Sequence, residues 1–298
     1  MSHPLHLEAG VEPFPGYCLR RSLGRGGFGT VWEATTPEGG ALALKFLPSD
    51  APRATSQEIR SLQAIRRLRH AHLIRIERVW CYQGHVVVAM ELADGSLADL
   101  YDAYQSREGT PIAPEHACLL LADAAEALDF LNTRQHWIDD HCVAIQHCDV
   151  KPGNLLLVGD SLKVGDFGLS TPLHTHQEMR ARVGTLEYLA PEVFRGSVSS
   201  QTDQYALAVT YCILRGGRFP FTDTPPTFDR RYIRPAPDLT MLSPGERPLI
   251  ARALSRAPQD RWPSCRELFG HLIQVVRKGI EERKGRGSDI RKALATAP

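Results

Sequence analysis

Over the first ninety residues, apolar and polar positions alternate in short runs. Segments 17–23, 30–36, 41–47, 74–81 and 85–90 are separated by glycine or proline turns at 24–29, 37–40 and Gly84, a spacing that predicts an antiparallel sheet. Between the third and fourth runs, Ile59, Leu62, Ile65 and Leu68 recur every three residues in a basic segment, as on one face of an amphipathic helix. After 94–97 the period lengthens to that of helices. Pro114 suits the first turn of a helix over 114–132, with Ala117, Leu120, Leu121, Ala124, Leu128 and Leu131 as its stripe. Segment 202–215 is apolar nearly all round and ends at Gly216 as a C′ residue, which predicts a buried central helix. Ser243-Pro-Gly-Glu246 reads as a capping box opening a helix to about 255, and 264–276 as another helix. Five strands with one helix, followed by a helical half, predict an α+β fold of two lobes joined near 91–95. Residues 1–16, with Pro4, Pro13, Pro15 and Gly16, form a flexible or loosely docked lead-in.

Composition narrows the class. Of 298 residues, 43% are hydrophobic and 23% charged, too apolar for a disordered chain. The net charge of +1 gives no global field to hold nucleic acid or an anionic membrane surface. The longest apolar runs fall short of the roughly 18 residues a membrane helix needs, and Met1 to Gly10 shows neither the basic nor the apolar region of a secretory signal. The seven cysteines are scattered with no C-x-x-C pair, so a reducing, cytoplasmic setting is expected. The tail 277–298 carries seven basic and three acidic residues. It reads as a solvated, frayed end, the alternative being a basic stretch leading to a membrane tether in a longer chain.

Two features suggest chemistry on phosphates. Gly24-Arg-Gly26-Gly27-Phe28-Gly29-Thr30-Val31 matches G-x-G-x-x-G-x-V. Dinucleotide folds share the glycines, but there the last one opens a helix, whereas Thr30 to Thr35 is β-branched and aromatic. The glycines therefore join two strands, as a lid whose amides approach phosphate oxygens while Phe28 folds over the top. Sixteen residues past Gly29, Lys45 interrupts the apolar strand 41–47, where a lone charge needs a partner. Glu58, one turn before Leu62, is the candidate, placed to hold the ammonium on the α- and β-phosphates of a nucleotide. In the competing reading, Thr55-x-x-Glu58 is a capping box and Glu58 serves only the helix start.

Ile145-Gln-His147-Cys148-Asp149-Val150-Lys151-Pro152-Gly153-Asn154-Leu155-Leu156-Leu157 resembles the catalytic loop of eukaryotic-type, or Hanks-type, protein kinases. Asp166-Phe167-Gly168 follows twelve residues beyond Asn154, and Ala190-Pro191-Glu192 stands where that family's activation segment closes. The resemblance covers 17–276 and implies a bilobal kinase domain: N-lobe 17–92, hinge 91–95 and C-lobe 96–276. It further implies ATP and Mg²⁺ as cofactors, Asp149 as the group accepting the hydroxyl proton, Lys151 near the γ-phosphate, and Asn154 and Asp166 as metal ligands. Val31, Ala43 and Leu156 would line the adenine slot, with Met90 as gatekeeper and Glu91 to Ala93 offering hinge hydrogen bonds. Leu62, Ile76, His147 and Phe167 resemble a stacked spine, and Glu192 with Arg261 a buried pair. Lys151 and Gly184-Thr185 look like the Ser/Thr type, with Thr185 bonding Asp149 and Lys151, so a protein substrate with a Ser or Thr acceptor is expected. Segment 202–209 is similar to the central helix of bacterial members, in which Asp203 bonds the catalytic-loop backbone.

Two departures stand out. Cys148 replaces the arginine with which many members grip an activation-loop phosphate, which argues against control by loop phosphorylation. The link 133–144 is long and gathers His136, Asp139, Asp140, His141 and Cys142, although no pair has a recognised zinc spacing. A pseudokinase scaffold or a small-molecule kinase of the same fold remains the alternative.

Overall fold

The computed structural model describes residues 6–26, 29–48, 62–63, 65–138, 141–173, 184–223 and 227–295. The predicted sheet is present: β1 (Cys18–Gly26), β2 (Gly29–Thr35), β3 (Ala41–Pro48), β4 (Ile76–Tyr82) and β5 (His85–Met90), antiparallel in the order β1-β2-β3-β5-β4. Successive side chains of β3 point to opposite faces. Ala43 and Leu47 enter the main core, and Leu42, Leu44 and Phe46 a second cluster on the other side. Both faces are covered, which explains why β3 is a continuous apolar run. Of the helix expected at 59–68, Leu62, Gln63 and Ile65 are described as helical and residues 66–67 as a turn; Thr55, Glu58 and Ile59 lie outside the described residues.

The cover on the outer face is the lead-in, and here the expectation of a loose segment is corrected. Leu7, Val11 and Tyr17 pack on the second cluster. Gly10 N–H donates to the Leu19 carbonyl at 2.8 Å and Leu19 N–H to that of Val11 at 2.9 Å. Trp80 Nε1 donates to the Pro13 carbonyl at 3.2 Å, and the Arg78 guanidinium lies 4.4 Å from the Phe14 ring centre. An apolar sheet face needs a lid, and residues 6–17 supply it.

The C-lobe opens with β6 (Gly95–Ser96) and a helix that the periodicity did not announce, α1 (Leu97–Glu108). Its start is a capping box: Asp99 N–H donates to Ser96 Oγ, and Ser96 N–H returns a bond to the Asp99 carboxylate. The helix predicted over 114–132 is α2 (Pro114–Asn132). The long link folds into a hairpin, β7 (His136–Ile138) and β8 (His141–Gln146). His136 is buried, with Nε2 2.9 Å from the Phe130 carbonyl, and no metal-holding group of three or more His, Cys, Asp or Glu occurs among the described residues. Then come β9 (Leu155–Val158), β10 (Ser161–Val164), β11 (Thr171–Leu173), α3 (Pro191–Phe194), α4 (Thr202–Gly216), α5 (Glu246–Ala253) and α6 (Cys265–Ala295). Two small sheets, β10-β9-β6 and β11-β8-β7, carry the loops of the cleft.

Three helix boundaries differ from expectation. The left-handed cap of α4 is Gly217, φ 74°; Gly216 is still helical, and its lack of a side chain makes room for Met241. Regular helix in α5 begins at Glu246 rather than at Pro244. Glu246 accepts the Ser243 N–H at 2.9 Å but turns its other oxygen to the Tyr211 hydroxyl at 2.5 Å and Arg215 at 3.2 Å. The carboxylate thus makes its half of the expected capping box with one oxygen and ties α5 to α4 with the other, while the Glu246 N–H donates to the Ser243 carbonyl at 3.0 Å. Finally, α6 runs through the tail to Ala295, since Lys, Arg, Glu and Ala favour helix and no proline intervenes before Pro298.

The expected pair in the helical lobe is buried. Arg261, 2% exposed, forks onto Glu192, 6% exposed, at 2.8 and 2.7 Å. Its remaining donors reach the carbonyls of Gln201 and Ser255, and Ser199 and Thr202 hydroxyls complete Glu192. Arg261→Ala strands the Glu192 charge, so a loss of about 3–5 kcal/mol is expected, read as a fall in the urea midpoint; an unchanged midpoint contradicts it.

Candidate active site

Glycine geometry shapes the roof of the cleft. Gly29 has φ 133°, and a Cβ there would collide with the Phe46 carbonyl, so the turn from β1 to β2 closes only with glycine. Gly24 and Arg25 line the cleft beside Val31; Gly27 and Phe28 lie outside the described residues. Register then places the next group: Lys45 sits opposite Val31 on one side and Val88 on the other, and Ala43 opposite Met90. All of these except Val88 line a cavity of about 760 Å³ between the lobes, with Leu156 below and Met90 to Ala93 at the back.

The hinge is pinned from both lobes. Glu91 N–H donates to the Arg75 carbonyl at 3.0 Å, while its carboxylate accepts the Arg75 N–H at 2.6 Å and the Lys163 ammonium at 2.8 and 2.9 Å. Asp94 N–H donates to the Leu157 carbonyl at 2.8 Å. Lys163 was missed in the sequence, although the alternation Ser161-Leu-Lys-Val164 already marks it as facing away from the core.

On the floor of the cleft, Asp149 is 5% exposed and fully engaged. Lys151 Nζ lies 2.9 Å from Oδ2, Asn154 Nδ2 donates to the same oxygen at 2.8 Å, and the Thr185 hydroxyl and N–H reach Oδ1 at 3.2 Å each. Lys151 also donates to Thr185 Oγ1 at 2.7 Å. The bonds expected between Thr185, Asp149 and Lys151 are therefore present. Gly184 lets the segment come this close, since a Cβ would stand 2.8 Å from the Cys148 carbonyl and 3.0 Å from Asp149 Oδ1. The amide of Asn154 is spent on Asp149, including its main-chain carbonyl at 2.7 Å. Its side-chain oxygen is thus turned the other way, into the cavity it shares with Asp166.

Asp166 adopts a left-handed conformation, φ 61°, unusual for a non-glycine residue and frequent at functional turns. Its carboxylate meets Lys45 Nζ at 2.5 Å. The partner found for Lys45 is thus Asp166, and the expected Glu58 lies outside the described residues. Burial alone would raise the Asp166 carboxyl, but the Lys45 ammonium outweighs it and holds the group below the usual carboxylate range. Phe167 stacks edge-on to His147 at 5.4 Å and lines a small cavity with Leu62 and Ile76, so the four spine residues come together. His147 Nε2 lies 2.7 Å from the Gly165 carbonyl, and Nδ1 accepts the Asp149 N–H at 3.3 Å, which sets the ring as the Nε2–H tautomer. Asp203 accepts the N–H groups of His147 at 2.6 Å and Cys148 at 2.8 Å.

With hard oxygens from Asn154 and Asp166 on one cavity wall, the donor set fits Mg²⁺, which takes a few protein oxygens and keeps water and phosphate as its other ligands.

The family model for the protein kinase domain matches residues 17–273. The chain belongs to the protein kinase family. It is similar to CBL-interacting protein kinase 4 of Oryza sativa subsp. japonica, 32% identical over 72% of this chain and 47% of that one. It is also similar to serine/threonine-protein kinase PknF of Mycobacterium tuberculosis, 31% identical over 87% and 57%, and to PknH of Mycobacterium bovis, 29% identical over 86% and 43%. The mycobacterial matches agree with the bacterial character of segment 202–209. The chain spans about half the length of the curated relatives it matches. No helix among the described residues is long and apolar enough to cross a membrane.

The Lys45–Asp166 pair has a pH signature. Because the folded value of Asp166 lies below the unfolded one, its ionised form adds stability that is complete above the ordinary carboxylate pKa of about 4 and is lost as pH falls through the folded value. At neutral pH the wild type is expected to be more stable to urea than Asp166→Asn, with the gap closing in acid. A gap that persists unchanged as pH falls far below the ordinary carboxylate range contradicts the pairing.

Proposed function

We propose that this chain is a serine/threonine protein kinase that transfers the γ-phosphoryl group of ATP, with Mg²⁺, to Ser or Thr hydroxyls of protein substrates. The observation that carries the reading is the Asp149 carboxylate, oriented by Lys151, Asn154 and Thr185, three residues that line the cleft together with Lys45 and Asp166. In-line phosphoryl transfer asks mainly for positioning and charge neutralisation. Asp149 orients the acceptor hydroxyl and takes its proton as the new O–P bond forms and the bond to the departing ADP breaks. Lys151 lies against that carboxylate and neutralises the transferred group. Lys45 holds the α- and β-phosphates under the lid of Gly24, Gly26, Gly27, Phe28 and Gly29, and Glu58 is assigned to hold Lys45 in turn.

Asn154 and Asp166 would hold the metal, which would supply positive charge to the phosphates. The adenine fits the apolar slot of Val31, Ala43, Met90 and Leu156, with hinge amides and carbonyls of Glu91 to Ala93 at its edge.

Completeness of this set disfavours a pseudokinase, and the segment from Gly184 to Glu192, folded against Asp149, favours a peptide acceptor over a small molecule. Asp149→Asn is expected to lower turnover by about 10²–10⁴ fold, while ATP still raises the unfolding temperature as in wild type. Full activity in this variant removes Asp149 from the role assigned.

Control by loop phosphate is not expected. A cysteine side chain cannot make the forked bond an arginine offers to phosphate. Of the candidate acceptors Ser170, Thr171 and Thr175, Ser170 has its hydroxyl covered from solvent and Thr175 lies outside the described residues, as do Arg180 and Arg182, the cations that a loop phosphate would meet. Replacing Ser170, Thr171 and Thr175 together with alanine is expected to leave the initial rate near that of untreated and phosphatase-treated wild type. A fall of tenfold or more in both the variant and the dephosphorylated enzyme, about 1.4 kcal/mol in the barrier, would show that loop phosphate matters.

A further inference from the structure

Between α4 and α5 the described residues of 217–245 form no helix or strand, yet this stretch sends one arginine deep into the C-lobe. Arg234 is 2% exposed. Its guanidinium lies 4.7 Å from the Phe221 ring centre and 5.6 Å from those of Phe194 and Tyr232. No carboxylate pairs with it among the described residues, and its Nε and Nη1 have no hydrogen-bond partner there. Only Nη2 is used, donating to the carbonyls of Leu186 at 2.7 Å and Leu189 at 3.1 Å. From outside, Arg256 holds the Arg234 carbonyl at 3.1 Å.

Such a charge is costly where it stands. Aromatic faces recover part of the desolvation energy, but an apolar side chain of similar length would fill the same space without that cost. What an apolar side chain could not do is grip two carbonyls at once. Those carbonyls bracket the single turn Leu186–Tyr188, whose own bonds are few: Tyr188 N–H to Thr185 at 3.0 Å and Leu189 N–H to Leu186 at 3.3 Å. The same turn begins at Thr185, which touches both Asp149 and Lys151.

We infer that Arg234 is the positioning residue of the acceptor-docking turn, fixing Leu186–Leu189 from beneath so that a protein substrate meets a preformed surface beside Asp149. The inference rests on the Ser/Thr kinase reading for its kinetic consequence and on the geometry alone for its structural one. Arg234→Gln should raise the KM for a protein acceptor about tenfold, equivalent to about 1.4 kcal/mol, with the KM for ATP unchanged. Arg234→Lys keeps the charge against the three rings and loses the shared grip on two carbonyls, so it should retain the thermal stability of wild type and raise the acceptor KM to an intermediate value. Hydrogen exchange at the Tyr188 and Leu189 amides should quicken in both variants while that of α4 stays slow.

If the glutamine variant does not fold, the lysine variant carries the same comparison. An unchanged acceptor KM, an equal rise for ATP and acceptor, or unchanged exchange at the two amides overturns the inference. A wild-type chain that transfers no phosphoryl group to Ser or Thr defeats the proposed function instead, and the exchange measurement then decides the role of Arg234.

Discussion

The active site hangs on one buried carboxylate. Asp203, at the first turn of α4, accepts two consecutive main-chain N–H groups, those of His147 and Cys148. Cys148 takes the left-handed φ of 65°, a reversal that lets consecutive amides converge on one anion. Asp149 follows directly and is held by Lys151, Asn154 and Thr185 of the cleft wall. Burial pushes the Asp203 carboxyl above the usual carboxylate range, against the pull of the two N–H groups. Its position near the N-terminus of a helix helps keep the charge. Because α4 is buried over nearly its whole length, the catalytic loop is referenced to a helix embedded in the core of the C-lobe.

From that point the other charged residues fall into place as pairs. Lys45 with Asp166, Lys151 with Asp149, Lys163 with Glu91 and Arg261 with Glu192 each set a cation against a carboxylate with limited access to water. Pairs of this kind add little net stability, since desolvation consumes most of the Coulomb gain. Their common effect is registration. Lys45 ties the sheet to the turn after β10, and Lys163 ties β10 to the hinge. The N-lobe is thereby held over the C-lobe at two places, through the Lys45–Asp166 pair and at the hinge.

The sequence displayed the sheet, the central helix and the charged residues of the cleft because each depends on local spacing: alternation, a helical stripe, or a motif whose residues lie within a dozen positions. It concealed what depends on a second surface. Leu7, Val11 and Phe14 show no period, and their docking follows only once both faces of β3 are known to be apolar. α1 carries a weak stripe, and its evidence was the Ser96–Asp99 cap, which periodicity does not detect. The hairpin β7–β8 was hidden in polar residues, with His136 turned inward by a single main-chain bond. The fork of Arg234 onto Leu186 and Leu189 spans 45 to 48 residues of sequence, beyond any local pattern.

These features bear on how such a site is held ready. In the arginine form of the catalytic loop, a phosphate added to the activation segment supplies the charge-assisted bonds that order it. Here the docking turn already has its bonds. Thr185 reaches Asp149 and Lys151 from one side, Gly184 closes on the Cys148 carbonyl, and Arg234 grips the turn from below. β11 pairs with β8 at Thr171, Pro172 and Leu173, opposite Gln146, Ile145 and Ala144, fixing the start of the segment to the strand that leads into Asp149. Arg234 meets main-chain carbonyls, which are permanent, whereas the arginine form of the loop meets a phosphate, which is conditional; the proposed independence from loop phosphate rests on that difference.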